Sequence, residues 1–265
     1  MILLTNDDGV QATGLQTLRE ALRGIADTVV VAPDRERSAA SHGITLHHPL
    51  RLVEIEAGVH SLNGTPADCI IIALSKLFKK NKPDLILSGI NHGGNMGDDV
   101  LYSGTVAGAR EGAVHCIPSI AVSLVLSRNR NNDFAGAARF TTLLVRQVLE
   151  KKLPPTVFLS VNIPGAGYKG IHVTKQGSKL AENVIMENVD PRGRKYYWIG
   201  QEKIHWEEDP DSDYTAVSDG LISITPLHTN QTQFHARKLL RRFKQNLETD
   251  LGMNGLSPVV GRLKR

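Results

Sequence analysis

The sequence predicts an α/β fold, a mostly parallel sheet covered by helices on both faces, with a β-rich arm added after it. Three observations predict it. Short β-branched apolar runs recur between segments of helical periodicity, small polar residues stand where those helices would begin, and further polar residues collect just after the strand-like runs. The chain has 265 residues, which suits one large α/β domain or a domain with an appendage. With 41% hydrophobic and 22% charged residues it can bury a full core, and wholesale disorder is excluded.

Residues 1–5 (MILLT) form the first strand. Thr13 is placed to cap the helix that follows, with Gln16 completing a capping box, and Leu15, Leu18, Leu22 and Ile25 recur at helical spacing. Residues 28–32 (TVVVA) are the second strand. Thr65 before Pro66 sets a cap ahead of a proline in the first helical position, and the apolar run 69–78 continues as a buried helix. Residues 84–88 (DLILS) make another strand, 103–112 a helix rich in small residues, and 119–123 a further strand. Asp133 caps a helix through Glu150, and residues 156–162 (TVFLSVN) close the alternation.

After Pro164 the texture changes. Both tryptophans and four of the five tyrosines lie between Tyr168 and Tyr214, on a segment without helical periodicity. This reads as a β-arm whose aromatics need a surface to pack against, for which a second subunit is the natural candidate. Glu207, Glu208, Asp209, Asp211 and Asp213 read as a solvated loop, with weak calcium binding as the alternative. Residues 221–225 (LISIT) resemble a strand returning to the sheet. Phe234, Leu240, Phe243 and Leu247 share one side of an amphipathic helix over 234–247.

The net charge of +4 is unevenly spread. From Arg237 to Arg265 there are eight basic residues against two acids, so the other 236 residues carry a net −2. The basic tail has one aromatic, Phe243, where a nucleic-acid platform needs basic and stacking groups together, so no nucleic-acid partner is expected. No apolar run approaches the roughly 18 residues of a membrane span, and the first residues lack the basic region of a signal peptide. Cys69 and Cys116 sit in apolar runs and read as buried free thiols. A cytoplasmic protein is expected.

Three strand ends carry the polar residues. The first runs into Asn6-Asp7-Asp8-Gly9, the second into the stretch ending Arg37-Ser38, with Ser41-His42 beyond, and the DLILS strand into Asn91-His92-Gly-Gly-Asn95. In open parallel sheets, ligands bind beyond such ends. Adjacent carboxylates repel and would point to opposite faces of a regular strand; the turn permitted by Gly9 can bring both to one point, where a divalent cation removes the repulsion. Asp7 and Asp8 with the oxygens of Ser38 and Asn91 suit Mg²⁺, Mn²⁺ or Ca²⁺ rather than a soft metal. Ser103-Gly104-Thr105 offers hydroxyls and free N–H groups at a helix start, fit for an anion, while the spacing of Gly104, Gly108 and Gly112 equally suits close packing. Gly165 to Gly170 matches G-x-G-x-x-G, yet Ile-His-Val-Thr follows it and no helix opens, so dinucleotide binding is rejected.

Thr5-Asn-Asp-Asp-Gly9, Ala32-Pro-Asp-Arg-Glu-Arg-Ser38, Gly64-Thr-Pro-Ala-Asp-Cys69, Ser88-Gly-Ile-Asn91 with His-Gly-Gly-Asn95, and Tyr102-Ser-Gly-Thr-Val106 with Gly-Ala-Arg-Glu-Gly112 stand in the order of the SurE (stationary-phase survival protein) family, which the chain resembles over roughly residues 1–227. The resemblance implies a Rossmann-like core and a metal-dependent 5'-nucleotidase acting on nucleoside 5'- and 3'-monophosphates, with some hydrolysis of short-chain polyphosphate. It implies Asp7, Asp8, Ser38 and Asn91 as ligands of one divalent ion, Asp7 and Asp8 as the catalytic pair, and Asn95, Ser103, Gly104 and Thr105 as the phosphate site. It further implies a homodimer or homotetramer that exchanges C-terminal segments. The expected organisation is a catalytic core over 1–163, an oligomerisation arm over 164–220, a return strand and helix over 221–250, and a loose basic terminus over 251–265.

The expected chemistry is phosphomonoester hydrolysis with the ion as Lewis acid. A water activated by the metal is the preferred nucleophile; direct attack by Asp7 or Asp8 is the alternative, weakened by the missing Asp-x-Asp spacing. The general acid is open: His42 and His92 are near in sequence, but each suits a supporting or core role better. A nucleotide-binding regulatory module without turnover is the competing class, and the paired aspartates, unneeded for binding alone, argue against it.

Overall fold

The computed structural model describes residues 1–127 and 132–251. β1 (Ile2–Thr5) lies inside the sheet between β2 (Thr28–Pro33) and β5 (Leu85–His92), parallel to both. Beyond β5 come β6 (Ser119–Val125) and β7 (Val157–Pro164), also parallel, then β11 (Leu221–His228), antiparallel to β7. β8 (Gly170–Val173) runs parallel to β11 at that edge. On the other side β4 (Val59–Leu62) joins β2 in parallel, and β3 (Leu52–Glu56) closes the edge in antiparallel pairing. The nine-stranded order is β3-β4-β2-β1-β5-β6-β7-β11-β8, so the mostly parallel α/β sheet expected from the sequence is present.

Helices cover both faces. α1 (Thr13–Ala21) and α5 (Phe134–Lys151) pack on one; α2 (Pro66–Lys76) and α4 (Gly104–Val114), which the one-turn α3 (Asp99–Tyr102) precedes, pack on the other. Successive strand residues point to opposite faces, which is why β1 is apolar throughout Ile2, Leu3 and Leu4. Ile2 and Leu4 join Leu15, Leu18 and Val145, whereas Leu3 joins Cys69 and Ile70.

Several expectations need correction. α1 has Ala12, not Thr13, at its N-cap, and no side chain caps it; Gln16 instead donates to the Val10 carbonyl at 2.7 Å. The capping box is at α2, where Thr65 and Asp68 satisfy each other's backbone N–H groups. α1 ends at Ala21, before Ile25. β3 and β4 occupy a stretch for which no element was predicted. Cys69 is buried, but Cys116 is exposed; both are free. Asp133 caps α5 as expected, accepting from Gly136 N at 2.7 Å, and the run that starts at Gly165 opens at Gly170 into β8, not a helix.

The arm is a hairpin of β9 (Lys179–Val189) and β10 (Lys195–Trp206). It leaves Met186, Tyr197, Trp198 and Ile199 more than half exposed. Its root is held to the loop after β5. Asp213, which opens α6 (Asp213–Ser218), accepts from Gly97 N at 2.9 Å and from Gly177 N at 3.0 Å, and Gln176 donates to Gly97 O at 3.0 Å. Trp206 stacks on Tyr214 at 4.0 Å and abuts Gly97, where a β-carbon would lie 2.7 Å from its ring. Lys179 pairs with Asp99 at 2.7 Å. Asp213 is 1% exposed, so it does not belong to the solvated acidic loop in which the sequence put it. Burial raises its carboxyl above the ordinary range, against the lowering effect of those N–H donors.

Contacts divide the chain into a unit of Met1–Thr229 and one of Asn230–Arg265. In the second, α7 (Phe234–Asp250) is an amphipathic helix with Phe234, Leu240, Phe243 and Leu247 half or more exposed. The loose terminus expected over 251–265 lies, apart from Leu251, outside the described residues. Among the described residues no helix is long and apolar enough to cross a membrane.

Candidate active site

The chain leaves β1 for β2 on one side and later places β5 on the other, so the strand order reverses between β1 and β5. Such a switch point opens a crevice beyond the carboxyl ends of the strands. Asp7 and Asp8 follow β1, Ser38 comes from the loop after β2, Asn91 lies at the end of β5, and Asn95 and Ser103 come from the connection between β5 and α4. These six line one cavity of about 790 Å³. Gly9, at φ +102°, makes the turn that follows the paired aspartates; no other residue adopts that conformation cheaply.

Asp7 is 5% exposed and accepts a hydrogen bond from the Thr105 hydroxyl. Burial pushes its carboxyl up to about 6; the Thr105 bond works against this, and the neighbouring Asp8 charge adds to it. Asp8 accepts from His92 N at 3.2 Å, and burial raises its carboxyl too, with Glu36 contributing. Ser38 donates to Glu36 at 2.6 Å. Asn91 donates from Nδ2 to Gly93 O at 2.9 Å, and its Oδ1 accepts no hydrogen bond among the described residues.

This donor set fits a hard divalent cation: two carboxylates crowded and partly desolvated, an amide oxygen with no partner, and a hydroxyl. Among the described residues no three His, Cys, Asp or Glu side chains form a metal-binding group, so the amide and hydroxyl oxygens are needed to complete the set.

Ser103 caps α4, its Oγ accepting from Val106 N at 3.0 Å, which leaves the hydroxyl proton free to donate. Asn95 is 7% exposed; its Nδ2 donates to Ser123 at 2.7 Å, and its backbone is clamped by Asn162. Gly104 and Thr105 stand behind Asp7 rather than in the cavity wall. A β-carbon at Gly104 would meet Asp7, one at Gly108 would lie 2.7 Å from Ser88 Oγ, and one at Gly112 would lie 2.2 Å from Ser119 Oγ. The glycine spacing thus seats α4 on β1, β5 and β6, and the Thr105 hydroxyl serves Asp7.

Of the two histidines, His92 lines the cavity, its ring edge-to-face with Phe134 at 5.7 Å. His42 is 2.8 Å from Glu111 of α4, which also meets His115 at 3.1 Å. The sequence reading missed Glu36, Asp99, Tyr102 and Phe134 of the cavity lining. Glu36 stands within the motif that ends at Ser38 and was open to discovery there; Phe134 carries no motif.

A mostly parallel sheet with oxygen donors and a helix start meeting at its switch point makes an α/β protein whose crevice has the chemistry to hold an anion beside a hard cation. The family model described as Survival protein SurE matches residues 2–183. The chain is 49% identical over 243 residues to the 5'-nucleotidase SurE of Geobacter metallireducens, covering 91% of this chain and 96% of that protein. It is 50% identical over 238 residues to the 5'-nucleotidase SurE of Myxococcus xanthus, covering 89% and 90%. The crystal structure of the SurE protein from Aquifex aeolicus superposes with a TM-score of 0.81 at 40% identity, covering 92% of this chain and 99% of that one. The chain belongs to the SurE family.

Proposed function

We propose that the chain is a 5'-nucleotidase that hydrolyses nucleoside 5'-monophosphates to nucleoside and phosphate, with 3'-monophosphates and short-chain polyphosphate as further substrates. One observation carries the reading: Asp7, Asp8, Ser38 and Asn91 share a cavity with Ser103 at the start of α4. Its relatives named 5'-nucleotidase SurE support it.

Asp7, Asp8, Ser38 and Asn91 would hold one divalent ion, Mg²⁺ or Mn²⁺. When bound, such an ion supplies Lewis-acid charge to phosphoryl oxygens. Thr105 fixes the orientation of Asp7 through its hydrogen bond. Ser103 offers its hydroxyl proton to the phosphate at the start of α4, where the helix dipole favours negative charge. Asn95, immobilised by Ser123 and Asn162, presents a fixed dipole that needs no reorganisation during the reaction.

The exposed apolar face of the arm supports a homodimer or homotetramer, with C-terminal segments exchanged between subunits. The cytoplasm is the proposed compartment. The test is direct: protein stripped with EDTA loses hydrolysis of p-nitrophenyl phosphate and of a panel of nucleoside monophosphates, and Mn²⁺ or Mg²⁺ restores it. Full activity in protein shown by metal analysis to be ion-free would overturn the proposal.

A further inference from the structure

The cavity is far larger than a phosphoryl group requires, and its lining changes character along its wall. Besides the carboxylates and amides it includes His92, Leu126 and Phe134. Phe134 is the first residue of α5, positioned by the Asp133 cap on one side and by α1 on the other. Gly14 of α1 makes room for it: a β-carbon there would lie 3.1 Å from the Phe134 ring and 1.9 Å from Ile90 O. Part of the ring packs against the apolar core between α1 and α5. The His92 ring meets it at an interplanar angle of 82°. Leu126 adds an apolar surface that is 40% exposed.

We infer that Phe134, flanked by His92 and Leu126, is the platform on which the base of the nucleotide stacks, and so selects aromatic over non-aromatic phosphomonoesters. This rests on the phosphomonoesterase reading above. The chain runs directly from Asn91 of the ion site to His92 of the platform, so one substrate can reach both from a single cavity. Tyr102 is the other aromatic of the lining, but it is 64% exposed and makes no ring contact among the described residues. Phe134 is held before the ligand arrives, so less freedom is lost on stacking. A ring face carries no hydrogen-bond code, so the platform favours bases as a class and separates purines from pyrimidines only weakly.

The experiment measures kcat/KM for AMP, CMP and glycerol phosphate with Mn²⁺ present, in wild type, Phe134→Ala, Phe134→Leu and Phe134→Trp. A ratio of two substrates within one preparation does not depend on how much of a variant is folded. The AMP-to-glycerol-phosphate ratio is expected to fall roughly ten- to a hundredfold in Phe134→Ala, the scale of one lost base–aromatic stack, mainly through KM. Phe134→Leu, which keeps apolar bulk without a π face, should fall nearly as far, and Phe134→Trp should retain the ratio. Inorganic phosphate, as a competitive inhibitor, should show the same Ki in all four proteins. Equal losses on AMP and glycerol phosphate, or an unmoved ratio, would overturn the platform while leaving the phosphatase reading intact. Wild type inert on all three substrates would end both.

Discussion

Gly104 and Asp7 are packed so closely that a β-carbon on the glycine would stand 2.8 Å from the aspartate's own β-carbon and 2.9 Å from its Oδ2. Backing α4 away would open the close seats of Gly108 on Ser88 and of Gly112 on Ser119. Gly104→Ala must therefore displace the carboxylate. The expected result is a stability loss of about 1–3 kcal/mol by chemical denaturation, typical of overpacking, together with weaker Mn²⁺ binding by calorimetry. Wild-type Mn²⁺ affinity in this variant would show that Asp7 is not held for the ion.

Ser103 has two roles that substitution can separate. Its oxygen caps α4, so Ser103→Ala should cost about 0.5–2 kcal/mol of stability. Its free proton faces the cavity, so turnover should drop roughly ten- to a thousandfold, the range of one transition-state donor or slightly less. Ser103→Gly preserves most of the stability but not the donor. If Ser103→Gly turned over at the wild-type rate, the hydroxyl would be only a cap.

Asp8→Asn keeps the shape of the side chain and removes its charge. Because burial already disfavours the ionised carboxyl, the metal-free variant should melt no lower than wild type. Mn²⁺ affinity and hydrolysis should vanish together. Normal turnover by this protein would remove Asp8 from the ion site.

Glu111 gives the fold an acid sensitivity. Burial works against its ionisation, but His42 and His115 outweigh that and hold the carboxyl below its ordinary 4.5. A lowered value means the stabilisation is complete above the unfolded-state pKa and disappears as pH falls through the folded one. Melting temperature should thus decline on acidification below about pH 4.5, and part of that decline should be absent in Glu111→Gln, which starts less stable at pH 7. Parallel pH profiles for the two proteins would contradict the assignment.

The repeating strands and helices were legible because their signals are local. Covered on both faces, β1, β2 and β5 are apolar at consecutive positions, and Thr65, Ser103 and Asp133 announce helix starts. β3 escaped notice because it is an edge strand whose Val53 and Ile55 face solvent alongside Glu54 and Glu56, so no burial pattern marks it. The polar strand ends were visible, and so was their convergence on one rim; which hydroxyl serves which carboxylate was not. Thr105 meets Asp7 across 98 positions, and Asp213 meets Gly97 across 116. Such pairings are set by tertiary packing, as is the exposure of Cys116, and spacing along the chain does not encode them.

The hairpin and the loop after β5 are anchored in the same few ångströms, where Gly97 is held by Asp213, Gln176 and Trp206 and Asp99 by Lys179. Anyone shortening the hairpin would have to cut beyond Lys179 and before Trp206. Removing the stem along with the tip would unfasten the segment that carries Asn95.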